Sequence, residues 1–186
     1  MGGKNVFLKA FFKNPRQIGA VAQTSSFVAR EVTKSIDFSK AKCLVELGSG
    51  MGNMTKKILE KMSPDCILFC FEIDKKLAAK FSQNIQDSRV KMICDSAENL
   101  GNHLAEYGIE KADYIISTIP LTTLPHRTVK SILSHCFQYL DGGGKYIQIQ
   151  YSLFSLRQIK YLFSSVAVSF VFFNFPPAFV YVCVKI

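Results

Sequence analysis

Residues 45–53 read Val-Glu-Leu-Gly-Ser-Gly-Met-Gly-Asn, and this stretch decides the fold class. It follows an apolar run that begins at residue 42, and it leads into a helical pattern over residues 53–62. The three glycines therefore predict a sharp turn between a strand and a helix whose N-terminus can face an anion. A dinucleotide site prefers G-x-G-x-x-G, but its third glycine position holds Asn53. The spacing favours a nucleoside ligand without a pyrophosphate.

The rest of the chain alternates apolar runs with helical patterns, which is typical of a doubly wound parallel sheet. We predict strands at 42–47, 67–72, 90–93, 112–117, 145–151, 166–173 and 178–186. Helices are predicted at 53–62, 75–85, from 95, 125–139 and 156–163, with a turn at 141–144. The last two strands lie too close in sequence for a crossover helix, so they should pair antiparallel at one edge. The fold class is α/β, with a mostly parallel seven-stranded sheet and a C-terminal antiparallel hairpin.

Two acidic residues follow the next two predicted strands. Glu72 ends the second strand, about twenty residues after the glycines, where a carboxylate can accept both ribose hydroxyls. Asp95 ends the third strand and could accept a hydrogen bond from an exocyclic amine. Open α/β sheets bind ligands at this edge, so the glycine turn and both acids predict one nucleoside site. A tight turn with solvated acids is the alternative interpretation.

Composition and charge exclude several classes of protein. The 186 residues are 48% hydrophobic, which argues against disorder, and no apolar run is long enough for a transmembrane helix. An export signal is not expected. The six cysteines form no CxxC pair, so we expect free thiols, no metal site and a reducing cytoplasm.

The net charge of +9 is concentrated at the two ends of the chain. Residues 1–42 hold eight basic and two acidic residues, and no acid follows Asp141. A basic rim on a balanced body predicts an anionic partner, either a membrane surface or nucleic acid. Residues 5–14, drawn as a helix, oppose Phe7 and Phe11 to Lys9 and Lys13, which is typical of an interfacial helix. An ordinary amphipathic helix packed on its own domain has the same pattern.

The glycine turn with its two acids resembles a class I S-adenosylmethionine-dependent methyltransferase, over nearly the whole chain. The resemblance implies a Rossmann-like methyltransferase fold with S-adenosylmethionine as cofactor. Its methionine end would lie along residues 46–52, its ribose at Glu72 and its adenine beside Asp95. The implied cofactor-binding residues are Glu46, Gly48, Ser49, Gly50, Gly52, Asn53, Glu72, Ile73, Asp95, Ser96, Ala97, Ser117, Thr24 and Ser25.

The loop after the fourth strand, residues 117–121, faces the methyl group in this family. Adenine methyltransferases carry an aromatic residue after the proline to stack a base, whereas this chain has Leu121. Several separated motifs are instead similar to bacterial phospholipid N-methyltransferases: FLKAFFKNPRQIGAVAQTSS at 7–26, IPL at 119–121 followed by LP at 124–125, YIQIQY at 146–151 and NFPPA at 174–178. Those enzymes usually read Gly-Pro-Gly-Thr-Gly where this chain has Gly-Ser-Gly-Met-Gly.

This second resemblance implies methyl transfer to the amine of phosphatidylethanolamine or its partly methylated forms. The amine must lose a proton, and the candidate bases or relays are Tyr151, at the end of the fifth strand, and His126. A core tyrosine and a solvated histidine are the plainer interpretations. Thr24 and Ser25 are predicted either to cap the next helix or to close over the cofactor.

We expect residues 1–36 to form the amphipathic and lid helices and residues 37–186 the methyltransferase domain. The expected protein is a cytoplasmic monomer that binds anionic membranes peripherally and takes a phospholipid substrate. An rRNA adenine N6-methyltransferase, a small-molecule amine N-methyltransferase and a non-catalytic binding module remain alternatives. An RNA enzyme would bind RNA in a salt-sensitive way, whereas a binding module would not bind the cofactor.

Overall fold

The computed structural model describes residues 25–186, in which one seven-stranded sheet carries helices on both faces. The strands are β1 (Cys43–Leu47), β2 (Ile67–Phe71), β3 (Val90–Ile93), β4 (Ala112–Ser117), β5 (Leu140–Gln150), β6 (Ser165–Val171) and β7 (Ala178–Val184). The α-helices of this part are α1 (Ser26–Thr33), α2 (Asn53–Leu59), α3 (Lys75–Asn84), α4 (Leu100–Ala105), α5 (His126–Tyr139) and α6 (Leu156–Leu162). Short 3-10 helices at Ala97–Asn99 and Leu121–Thr123 precede α4 and α5.

The sheet has the strand order β3-β2-β1-β4-β5-β7-β6. β1 to β5 are parallel to one another, and β7 is antiparallel to both β5 and β6. The predicted mostly parallel sheet with a C-terminal antiparallel hairpin is therefore confirmed. The carboxyl ends of the five parallel strands meet at one edge, which we call the carboxyl edge.

The central strands are buried on both faces, as expected for a doubly wound sheet. On β1, Val45 and Leu47 belong to the core beneath α4, α5 and α6, whereas Leu44 belongs to the core beneath α1, α2 and α3. Because side chains alternate along a strand, Glu46 projects to the same face as Leu44. A carboxylate is thus placed under α2 in the interior.

The turn predicted at residues 141–144 is wrong, because β5 already begins at Leu140. The Gly143 N–H donates to the Lys185 carbonyl (2.8 Å), and the Lys185 N–H donates to the Gly144 carbonyl (3.1 Å). A Cβ atom on Gly144 would lie 2.8 Å from the Asp113 carbonyl oxygen. The glycine run extends the strand with an irregular register because it lacks the side chains that would block this close pairing.

The amphipathic segment at residues 5–14 and Thr24 lie outside the described residues. All six cysteines are free, as predicted; five are buried and Cys94 is exposed. From residue 25 onward, the chain contains no helix with the length and apolar character needed to cross a bilayer.

Candidate active site

The glycine turn between β1 and α2 is tied across the end of β2. The N–H groups of Gly48 and Ser49 donate to the Phe71 carbonyl at 2.8 and 3.0 Å. The Ser49 hydroxyl donates to the same carbonyl at 3.4 Å and is buried. These bonds fold the turn over the carboxyl edge, and Asn53 follows it as the first residue of α2.

Two glycines of the turn explain why the chain needs this residue type here. Gly52 has φ +89°, and a Cβ atom on it would approach the Ile85 side chain to 2.7 Å. Gly50 has φ +58°, but a Cβ atom there would meet nothing within 4 Å. Gly52 is therefore required by packing, whereas Gly50 exposes its backbone to open space that a ligand could occupy.

Glu72 holds the outer side of this turn. Its Oε2 accepts from the Gly50 N–H and its Oε1 accepts from the Asp74 N–H, both at 2.9 Å. The side chain is nearly buried, while the adjacent Ile73 is 73% exposed with its apolar surface uncovered. Each carboxylate oxygen can accept a second hydrogen bond, so Glu72 can hold ribose hydroxyls and the turn at the same time. Ile73, the next residue after Glu72, offers an exposed apolar side chain against which a flat ring could pack.

Glu46 is fully buried between β1 and α2. Its Oε2 accepts from the Thr55 hydroxyl at 2.6 Å, and the Cys70 thiol lies 3.7 Å away. Burial raises the pKa of Glu46 to about 7, and the nearby Glu72 carboxylate adds to the rise. Among the described residues, its Oε1 has no hydrogen-bond partner. A buried acceptor without a partner is costly, and a bound donor would satisfy it.

Asp95 lies in the loop after β3 and is bonded within its own segment. It accepts from the Ser96 N–H (2.6 Å) and the Asn99 amide, and it pairs with His103 Nε2 at 2.9 Å. The His103 hydrogen bond is the main reason that the pKa of Asp95 is lowered. The next residues begin the 3-10 helix, which Ser96 caps and in which Ala97 is buried.

His103 is the residue of this group that sequence reasoning missed. Its ring packs edge-on against Phe71 at a centroid distance of 5.6 Å, between β2 and the loop after β3. A histidine eight residues after Asp95 in a short helix gave no periodic signal that could reveal the pairing.

The loop after β4 is fixed to the glycine turn and to β5. The Thr118 hydroxyl donates to the Gly48 carbonyl at 2.6 Å, and the Ser117 side chain is buried. The Gln148 and Gln150 amides both donate to the Ile119 carbonyl, at 3.1 and 2.8 Å. These two buried glutamines were also missed. Their signal was the polar residue at every second position of residues 146–151, on a strand that is otherwise apolar.

A small cavity of about 20 Å³ lies behind this loop, at the ends of β4 and β5. Its lining residues are Thr118, Pro120, Thr122, Thr123, Ile149, Gln150, Tyr151 and Ser152, none of which is charged. Leu121 is buried in the core and does not face the cavity. The loop therefore offers no side chain at position 121 to a substrate.

The two candidate proton relays differ in their surroundings. Burial raises the pKa of Tyr151, and a hydrogen bond with Asn174 opposes the rise. The phenol therefore keeps its proton at neutral pH, so it can relay a proton but is a poor base. His126 is the first residue of α5 and is exposed. The structure thus brings Tyr151, but not His126, into the lining of the cavity.

Ser25 caps α1, because its hydroxyl accepts from the Val28 N–H at 3.3 Å. The start of α1 also reaches the β6–β7 hairpin, where the Phe27 and Phe173 ring centroids are 5.4 Å apart. Capping this helix was one of the two roles predicted for Ser25.

These residues fit the cofactor expected from the sequence. The backbone is open at Gly50, Glu72 has spare lone pairs, and Glu46 Oε1 has no partner from residue 25 onward, so the site offers an open face and acceptors to a polar, cationic nucleoside. All three features lie at the end of β1 or β2.

Comparison with known proteins identifies relatives. A family model described as an O-methyltransferase domain matches residues 13–168. An ornithine lipid N-methyltransferase of Singulisphaera acidiphila is 28% identical over 180 residues, which cover 96% of this chain and 94% of that protein. A ribosomal RNA small subunit methyltransferase A of Campylobacter curvus is 27% identical over 132 residues, which are 67% of this chain and 42% of that protein.

Solved structures share the fold. A precorrin-6y C5,15-methyltransferase from Geobacter metallireducens superposes with a TM-score of 0.71 at 13% identity, covering 89% of this chain and 91% of that one. An rRNA methylase from Streptococcus thermophilus gives 0.62 at 18% identity, with coverages of 85% and 94%. At these identities the likeness defines the architecture, whereas the acceptor must be argued from the site.

Proposed function

The chain belongs to the S-adenosylmethionine-dependent methyltransferases, in the family of the O-methyltransferase domain, and from this premise we propose that it methylates the amine of a membrane lipid. It is an enzyme, and its cofactor is S-adenosylmethionine. The lipid relative named for ornithine lipid supports an amine-bearing headgroup. Phosphatidylethanolamine and its partly methylated forms are the headgroups that the sequence motifs favour.

The uncharged lining of the cavity behind the Pro120 loop carries this proposal. An amine attacks only in its neutral form, and a neighbouring carboxylate would favour the protonated ammonium. The cavity instead offers hydroxyls from Thr118 and Tyr151 and the amide of Gln150. These groups can hold a neutral amine by hydrogen bonds without raising its pKa.

The chain's own residues position the reacting groups. We infer that Glu72 and the glycine turn hold the cofactor, while Gln148 and Gln150 keep the loop after β4 rigid through the Ile119 carbonyl. When bound, S-adenosylmethionine supplies a sulfonium methyl group to the lone pair of a neutral amine held in the cavity. Before this transfer the headgroup ammonium gives a proton to water, directly or through the Tyr151 hydroxyl, and much of the rate gain comes from alignment.

Methyl-labelled cofactor tests the proposal with four acceptors offered in parallel: vesicles containing phosphatidylethanolamine, vesicles containing ornithine lipid, vesicles of phosphatidylcholine alone, and total RNA. We expect label in an amine-bearing lipid and none in phosphatidylcholine, because its quaternary nitrogen has no lone pair to accept a methyl group. Label confined to RNA, or absent from both amine lipids, would refute the proposal.

An RNA adenine methyltransferase is the second candidate, because a ribosomal RNA relative matches two thirds of the chain. The formal charge of +9 is also compatible with RNA. Against it, the loop after β4 presents no aromatic ring at position 121, where Leu121 is buried. A flipped base would lack a stacking partner from this loop.

A further inference from the structure

The β6–β7 hairpin carries an exposed cluster of phenylalanines. Phe170, Phe172, Phe173 and Phe175, together with Phe27 at the start of α1, form what we call the aromatic surface, and each ring is 51–74% exposed. Phe172 lies 6.3 Å from Phe170 and 5.6 Å from Phe173 between ring centroids, and Phe173 contacts Phe27 at 5.4 Å. The rings of Phe170, Phe172, Phe173 and Phe27 thus form a continuous series. Contiguous exposed apolar surface of this kind marks an interaction site.

The aromatic surface lies beside the small cavity behind the loop after β4, which we call the acceptor cavity because the proposed amine acceptor would bind there. β5 and β6 are both antiparallel to β7, so they run in the same direction and the end of β6 at Val171 lies at the carboxyl edge. In the hairpin after it, Asn174 is buried and hydrogen-bonds the side chain of Tyr151, which lines the cavity. The same short hairpin therefore touches the cavity wall and presents aromatic rings outward.

Charge around this edge indicates the partner. Residues 118–128 and 151–157, which include lining residues of the cavity and the chain that follows them, and the hairpin residues 172–178 contain Arg127 and Arg157 and no aspartate or glutamate. Both arginines are exposed. Leu153 and Phe154, in the loop after β5, add further exposed apolar side chains. Exposed aromatic rings, together with cavity segments that carry arginines and no carboxylate, match the boundary between headgroups and acyl chains of an anionic bilayer.

We propose that the aromatic surface docks the protein on an anionic lipid bilayer and so brings the acceptor cavity to the headgroups. The phenylalanine rings enter the headgroup boundary, and Arg127 and Arg157 meet lipid phosphates. This inference rests on the proposed function, because it supplies the route by which a bilayer lipid reaches the site. It concerns residues of the C-terminal hairpin and is separate from the amphipathic segment expected at residues 5–14.

The chain contains no tryptophan, so a single introduced indole reports on its own surroundings. We expect Phe172→Trp to shift its emission to the blue with vesicles of phosphatidylcholine and phosphatidylglycerol, and to be quenched by lipids brominated on their acyl chains. Tyr161→Trp is the matched control, because Tyr161 is more exposed but lies in the last turn of α6, away from the carboxyl edge. Its emission should not change. Equal quenching of the two variants, or of neither, would overturn the proposal.

Flotation with the same vesicles gives the energetic test. Replacing both rings in Phe172→Ser/Phe173→Ser should lower the vesicle partition coefficient about tenfold or more, since burial of each ring contributes favourably. Tyr161→Ser should float like the unaltered chain. Retained flotation of the double variant would overturn the proposal. It would also be overturned if the double variant kept its flotation but lost RNA binding or self-association, measured separately. Flotation involves no methyl transfer, so its result stands apart from the labelling experiment on the acceptor.

Discussion

The buried carboxyl group of Glu46 makes a quantitative prediction about stability and pH. Burial raises the pKa of Glu46 from 4.5 to about 7 in the folded chain. Between these values the folded chain binds one more proton than the unfolded chain, so its free energy of unfolding falls as the pH rises. The pKa difference corresponds to about 3 kcal/mol, which is lost by about pH 8. Glu46→Gln removes this titration.

The assay is urea unfolding without cofactor, at pH 5 and pH 8.5. At pH 5 the folded acid and the amide are both neutral and only the unfolded chain has begun to ionise, so the two proteins should differ by less than about 1 kcal/mol. At pH 8.5 the Glu46→Gln protein should be more stable than the unaltered chain by about 3 kcal/mol. A difference that is the same at both pH values would refute the argument, because Glu46 would then ionise as it does in the unfolded chain.

Thr55→Val supplies the internal control. The Thr55 hydroxyl donates to Glu46 and lowers the pKa of the carboxyl, which partly opposes the effect of burial. Its loss should destabilise the protein more at pH 8.5 than at pH 5. In the Glu46→Gln background this pH dependence should disappear, since no charge remains to be stabilised.

Three further predictions concern the glycine turn, the cavity and the loop after β3. Gly52→Ala should cost at least about 1–2 kcal/mol in urea unfolding, because a left-handed backbone is combined with a close approach to Ile85; an unchanged midpoint would contradict this. Tyr151→Phe should lower turnover at least about tenfold with unchanged cofactor affinity in calorimetry, and full turnover would exclude its hydroxyl from proton transfer. Asp95→Asn should weaken cofactor binding about tenfold while costing less than about 1 kcal/mol of stability, since its pair with His103 is only partly buried; unaltered cofactor affinity would remove Asp95 from the site.

Tyr151 and His126 show what sequence patterns can and cannot predict about the site. Tyr151 is the last residue of a predicted strand and His126 lies just past the Pro120 loop, and both are chemically able to handle a proton. Only Tyr151 lines the cavity, and burial keeps its hydroxyl protonated. Desolvation depends on neighbours from other elements, here Asn174, and position along one strand does not reveal them.

Sequence alone determined the succession of strands and helices along the chain and the C-terminal hairpin. It also determined the edge of the sheet at which the glycine turn, Glu72 and Asp95 lie. It could do so because the periods of hydrophobic residues and the positive φ of glycine are local properties. It failed at residues 141–144, where the glycine run continues β5 because the backbone of Lys185, just after β7, hydrogen-bonds to Gly143 and Gly144.

Tertiary structure decided which groups meet within that frame. It paired Asp95 with His103, fixed the Ile119 carbonyl with two glutamine amides, and left an oxygen of Glu46 without a partner among the described residues. It also left the hairpin phenylalanines in solvent beside the cavity, although their sequence resembles a buried strand. Alternation assigns a side chain to a face, but only packing determines what covers that face.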